Sequence, residues 1–220
     1  MKRLTVFTGP MAAGKSSRAI IMLERLQRRG LRVIGVRPGC SVRDFERAGG
    51  ELRTRTGAKF PCMGLISVRS FAQCEGLVGE NDVIWIDEPG LFDDAKDLYA
   101  AVGWMREHAE VIISGLTMTS ECKPFSMDIS GRCPVAAVLA TADEIITCRA
   151  DCDFCEAGRD AATRTVFFAS DDKAERRVGG DEAYAPACVD CWNRLNDLSA
   201  EEKRAALVVR RDFAIGDEHG

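Results

Sequence analysis

The stretch "TGPMAAGKSS" at residues 8–17 constrains this chain more than any other. Gly9 is followed, after four residues, by Gly14, Lys15 and Ser16; the apolar run "RLTVF" lies directly before and "SSRAIIMLERLQRR" directly after. A strand that turns through glycines into a helix is the context of a phosphate cradle. The glycines let backbone N–H groups face phosphate oxygens, and the helix N-terminus adds its partial positive charge. Lys15 supplies a point charge for the outer phosphates, and Ser16 offers a hydroxyl to Mg²⁺. Gly9, Pro10, Met11, Ala12, Ala13, Gly14, Lys15, Ser16 and Ser17 are therefore read as the nucleotide-binding residues.

The pattern around the loop repeats. "LRVIGV", "VIWID" at 83–87, "VIISG" at 111–115 and "EIITC" at 144–148 are short β-branched runs. Helical stretches alternate with them: Ala19, Ile20, Leu23 and Leu26 share one side of the first, which Gly30 stops, and a second runs from about Asp93 to Glu107. Alternating strands and helices predict an α/β fold, a P-loop NTPase-type, mostly parallel sheet flanked by helices. The polar segment from Pro38 to Phe60 shows no period and reads as a long loop.

Composition changes near residue 150. Residues 1–150 read as the nucleotide-binding α/β domain and 151–195 as a small metal-stapled domain with a hairpin around "TRTVFFASDDKAERRV". Residues 196–220 read as a C-terminal helix (about 197–210) and a fraying tail. The net charge of −4 argues against a nucleic-acid partner bound mainly by charge, and no apolar run is long enough for a membrane span or signal peptide. The chain therefore reads as cytoplasmic, and its ten cysteines as thiols and metal ligands rather than disulfides.

"VIWIDE" ends a buried strand on two acids. An Asp at the end of a strand near a phosphate loop holds Mg²⁺, which suits Asp87; a carboxylate at the same cleft, Glu88, can accept the proton of an attacking hydroxyl. "CDFC" and "CVDC" give two C-x2-C knuckles, Cys152 with Cys155 and Cys188 with Cys191. Together they complete a tetrahedral four-thiolate zinc site with no open position, hence a structural one. The cysteines at 40, 62, 74, 122, 133 and 148 are scattered and read mostly as buried small hydrophobes. His108 and His219 lie near no motif.

Taken together, these pieces resemble the type II thymidine kinases, the zinc-containing P-loop family. The similar elements are "TGPMAAGKSS", "IDEPGLF", "SGLTMTSECKPF", "ATADEIITC" and "VGGDEAYAPACVDC", in that order over roughly residues 4–192. The resemblance implies ATP-dependent transfer of the γ-phosphate to the 5′-hydroxyl of thymidine, a small nucleoside substrate. It also implies a zinc-anchored, zinc-ribbon-like lasso closing over the nucleoside, and a homo-oligomer, tetramer or dimer. Carried over by position, it implies Glu88 as the base, Asp87 and Ser16 for Mg²⁺, and Lys15 for the phosphates. It implies Arg43, Leu91, Ser120, Phe125, Val178, Gly179 and Tyr184 along the nucleoside.

Several residues depart from the family pattern. Ala12-Ala13 stand for a usual Phe-Ser, Leu91 and Ser120 for aromatics, Thr117 for an Asp, and Ser41 for the acid two residues before Arg43. The phosphate-transfer half is intact while the nucleoside half has diverged. Two alternatives to thymidine follow: a different or modified pyrimidine nucleoside, or a non-catalytic, kinase-like regulatory protein that keeps ATP and zinc. A nucleic-acid-dependent ATPase module is disfavoured by the acidic balance and by the lack of aromatics interleaved with basic residues.

Overall fold

The structure is a computed structural model; it describes residues 1–38, 51–54, 57–65, 78–92, 97–125, 134–156, 160–169 and 183–208. Seven strands form one sheet: β1 (Leu4–Thr8), β2 (Val33–Pro38), β3 (Glu51–Arg53), β4 (Lys59–Leu65), β5 (Val83–Asp87), β6 (Glu110–Gly115) and β7 (Glu144–Thr147). Their order is β3-β4-β2-β5-β6-β1-β7, parallel throughout except that β3 runs antiparallel to β4. The helices are α1 (Lys15–Arg28), α2 (Leu98–His108), α3 (Pro134–Ala140), α4 (Val189–Leu195) and α5 (Ala200–Ala205). A separate two-stranded hairpin pairs β8 (Arg164–Phe167) with β9 (Tyr184–Ala187).

Both faces of the sheet are covered, which is why its central strands are buried and mostly apolar. Phe7, Val83, Trp85 and Ile112 face Ala19, Ile20 and Leu23 of α1 in one buried cluster. Leu4, Ile84, Ile86 and Ile113 join Leu98, Val102 and Met105 of α2 in the other. The first cluster continues without a break into Phe154, Val166 and Leu195 beside the hairpin.

Helix α1 ends as its sequence predicts. Gly30, at φ 87°, donates to Gln27 O at 2.8 Å, and Leu31 N donates to Leu26 O at 3.2 Å, a Schellman closure that a left-handed residue permits.

The loop expected over Pro38–Phe60 is corrected in part: β2 includes Pro38, β3 occupies 51–53, and β4 starts at Lys59. Pro61 is tolerated because the parallel ladder with β2 begins only at Cys62. Of the helix expected from about Asp93 to Glu107, α2 covers Leu98 onward and ends at His108, residues 93–96 lying outside the described residues; α3 has no counterpart among the expected elements. Of the helix expected over about 197–210, the described residues hold only the short α5, with α4 preceding it in the thiol-bearing region and 209–210 outside the described residues.

Candidate active site and metal centre

The phosphate loop opens where β1 ends. Gly9 has φ 152°, and a Cβ there would lie 2.1 Å from the carbonyl oxygen of Cys148, so only glycine fits. Ala12 at φ 59° and Gly14 at φ 71° complete the turn into α1. Lys15 is buried, and its Nζ donates to Pro10 O at 2.8 Å.

At the C-terminal end of β5, Asp87 is buried and accepts two hydroxyl hydrogens on one oxygen. Ser16 donates to Oδ1 at 2.8 Å and Ser114 donates to it at 2.5 Å. Ser114 in turn accepts from Trp85 Nε1 at 2.8 Å. Among the described residues no hydrogen bond reaches Oδ2, which leaves that oxygen for a cation. Burial pushes the Asp87 carboxyl well above its ordinary range, against the opposing pull of Ser114, Ser16, Arg37 and Lys15. Arg37 follows Val36, the strand partner of Ile86, so it stands beside Asp87; its Nε is buried and has no hydrogen-bond partner among the described residues. Burial, then the Asp87 charge, pushes the neighbouring Cys62 thiol up to about 12.

Glu88 follows in a left-handed conformation (φ 47°, ψ 54°) and caps a single 3-10 turn over Pro89–Leu91. Its N–H donates to Ser114 O at 2.7 Å, and its carboxylate accepts from Leu116 N at 3.4 Å. A strained residue at the mouth of the sheet, held on both sides by β6, is a pattern found where geometry serves function.

Between β1, β6, β7 and the hairpin lies a cavity of about 160 Å³. Its walls include Pro10, Leu116 and Met118 with five threonines, Thr8, Thr117, Thr147, Thr163 and Thr165, and Arg164. Arg164 Nη1 donates to Thr163 O at 3.2 Å. Of the described residues expected along the nucleoside, Leu91, Ser120, Phe125 and Tyr184, none is among these walls. Leu91 closes the 3-10 turn, Ser120 O accepts from Trp192 Nε1 at 2.9 Å, Phe125 N donates to Thr117 O at 2.9 Å, and Tyr184 packs on Phe167 at 5.0 Å. Arg43, Val178 and Gly179 lie outside the described residues, as do Cys40, Cys74, Cys133 and His219.

The ligating sulfurs of Cys152, Cys155, Cys188 and Cys191 all lie within 4.8 Å of one another. Cys155 and Cys188 are 3.8 Å apart, which matches the edge of a tetrahedron with metal–sulfur bonds of about 2.3 Å. Backbone N–H groups support the sulfurs: Cys188 N donates to Cys152 Sγ at 3.2 Å and Cys191 N to Cys188 Sγ at 3.4 Å. Four soft donors at this spacing fit zinc. Of the remaining described cysteines, Cys62 and Cys148 are buried as expected, while Cys122 is partly exposed at φ 56°. His108 ends α2 against Trp104 and belongs to no site.

Sequence reasoning missed Ser114, Arg37 and the threonine lining. Ser114 alone carried a signal, as the one polar residue inside the apolar run "VIISG".

A phosphate loop, an acid pair on the next strand but one, and a thiol knuckle beside them define a nucleotide-binding phosphotransferase fold of the P-loop type. A family model described as thymidine kinase matches residues 2–192. A thymidine kinase of Ureaplasma urealyticum serovar 10 is 28% identical, over 84% of this chain and 80% of that one. One from Pseudothermotoga lettingae is 28% identical over 88% and 96%, and one from Pyrobaculum aerophilum 29% identical over 84% and 95%. The chain belongs to the thymidine kinase family and is a kinase. No helix among the described residues is long and apolar enough to cross a membrane.

Proposed function

We propose that the chain transfers the γ-phosphate of ATP to the 5′-hydroxyl of thymidine, with Glu88 as the general base. The observation that carries this reading is the joining of Ser16, on the phosphate-loop helix, to Asp87, with Glu88 next in sequence. The loop N–H groups and Lys15 hold the phosphates in line. The Ser16 hydroxyl and the Asp87 carboxylate would hold Mg²⁺, which would supply positive charge against the phosphates during transfer. Glu88 accepts the hydroxyl proton as the oxygen attacks the γ-phosphorus, the bond to the bridging oxygen breaks and ADP leaves. The four thiols hold zinc and fix the hairpin beside the acceptor. Family kinship also supports a homo-oligomer working in the cytoplasm.

The acceptor is tested by steady-state kinetics over thymidine, deoxyuridine, deoxycytidine, deoxyguanosine and 5-substituted deoxyuridines. Thymidine is expected to lead, and phosphorylation of purines alone would refute the reading. A second acceptor class, pyrimidines with a larger or more polar 5-substituent, is favoured by the hydroxyl-rich lining with Arg164 at its edge.

A further inference from the structure

A hydrogen bond ties the phosphate loop to the hairpin that leads into the thiol cluster. Met11 N–H donates to Thr165 Oγ1 at 3.0 Å, across 154 residues of sequence. Thr165 is buried in β8, opposite Pro186 of β9. Strand β9 runs directly into Cys188, the N-cap of α4 and a member of the thiol cluster. The thiol cluster therefore holds β9, β9 holds β8, and β8 presents the hydroxyl.

The bond matters because of which peptide it holds. Pro10 C=O and Met11 N–H are the two ends of one planar peptide unit. The N–H end is fixed by Thr165, and the C=O end accepts Lys15 Nζ at 2.8 Å. Turning that plane moves the carbonyl against which the phosphate-loop cation rests. It also reorients the neighbouring loop amides, which converge on phosphate only in one conformation of the loop.

On the kinase reading above, we infer that Thr165 is a positioning residue for ATP. Through the Pro10–Met11 peptide it sets the resting place of Lys15, and so makes the zinc-type hairpin part of the phosphate site. This role is separate from its place in the wall of the cavity beside the hairpin.

The test is Mg·ATP binding by calorimetry, without acceptor, followed by steady-state kinetics. Thr165→Val keeps the branched shape and removes the acceptor oxygen; Thr165→Ser keeps the oxygen. With no acceptor present, Thr165→Val is expected to bind Mg·ATP about three- to tenfold more weakly, the usual worth of one hydrogen bond, whatever it does to the KM for thymidine. Thr165→Ser should bind ATP like wild type, and Thr165→Ala should repeat the Val result, with metal content equal in all four proteins. Unchanged ATP affinity in the Val variant, or loss confined to the thymidine KM, would overturn the inference and leave the kinase reading standing. An equal loss in the Ser variant would overturn it as well. A wild type that binds no Mg·ATP would overturn both, and this would show before any variant is compared.

Discussion

Ser16 on α1 and Asp87 at the end of β5 are joined by a 2.8 Å hydrogen bond across 71 residues of sequence. The bond links the phosphate loop to the acid on which a cation would rest. Its oxygen also takes the Ser114 hydroxyl, so one carboxylate oxygen is saturated and the other is left without a hydrogen bond among the described residues. Burying such a group opposes folding, and that cost is the basis of the first prediction.

Burial holds the Asp87 carboxyl above its ordinary value of 3.8. The native state therefore binds this proton more tightly than the unfolded chain does. The contribution favours folding below 3.8 and is lost as pH rises through the raised native value, so at neutral pH the ionised group works against the fold. Asp87→Asn should raise the stability of the metal-free protein at pH 7 and flatten its pH dependence. Kinase activity should be lost at the same time. Thermal melts of both proteins between pH 5 and 8 check the sign; a less stable Asn variant at pH 7 contradicts it.

Gly115 packs against the turn that carries Glu88. A Cβ there would lie 2.7 Å from Pro89 Cδ and 3.4 Å from Glu88 Cα, and a proline ring cannot swing aside. Gly115→Ala should destabilise the protein by about 1–3 kcal/mol and lower kcat more than it raises either KM, because Glu88 is displaced. Wild-type kcat in a folded Ala variant would show that the turn gives way without moving Glu88.

The purified protein should carry one zinc per chain, and Cys188→Ser should lose it. Burial first, then the neighbouring Cys155 and Cys188, pushes the Cys191 thiol up, so metal uptake must displace protons. Zinc affinity should fall as pH is lowered from 8 to 6, read by competition with a chromogenic chelator. Flat affinity over that range would mean the thiols are not the ligands.

Ala12 holds a left-handed φ of 59° inside the phosphate loop. That conformation costs a non-glycine residue about 1–2 kcal/mol, offset in glycine by about 0.5–1 kcal/mol of unfolded-state entropy. Ala12→Gly should therefore stabilise the protein by up to about 1 kcal/mol, seen as a higher Tm with ATP binding retained. A fall in Tm would mean that the Ala12 methyl makes a contact worth more than the strain.

What could be read from the sequence was what neighbours in sequence can encode. The loop from Gly9 to Ser16, the acids 87 and 88, and the paired cysteines are local motifs, and each falls where its strand or helix places it. Strand β4 was hidden because "KFPCMGL" contains Pro61 and Gly64, both of which read as breakers; pairing on two sides overrides that local preference. Thr165 could not be found in advance, since a single threonine in a hairpin acquires its role only from a contact 154 residues away. The cavity walled by Thr8, Thr117, Thr147, Thr163 and Thr165 draws on residues far apart in sequence, so no local motif announces it.

The most direct measurement is single-turnover transfer from γ-labelled ATP to thymidine, with wild type and Glu88→Gln compared at equal bound nucleotide. The wild type should place the label on thymidine 5′-monophosphate. Glu88→Gln should bind Mg·ATP with unchanged affinity and form the same product about 10²–10⁴-fold more slowly. Full-rate transfer by the Gln variant, or label released only as inorganic phosphate by the wild type, would contradict the account.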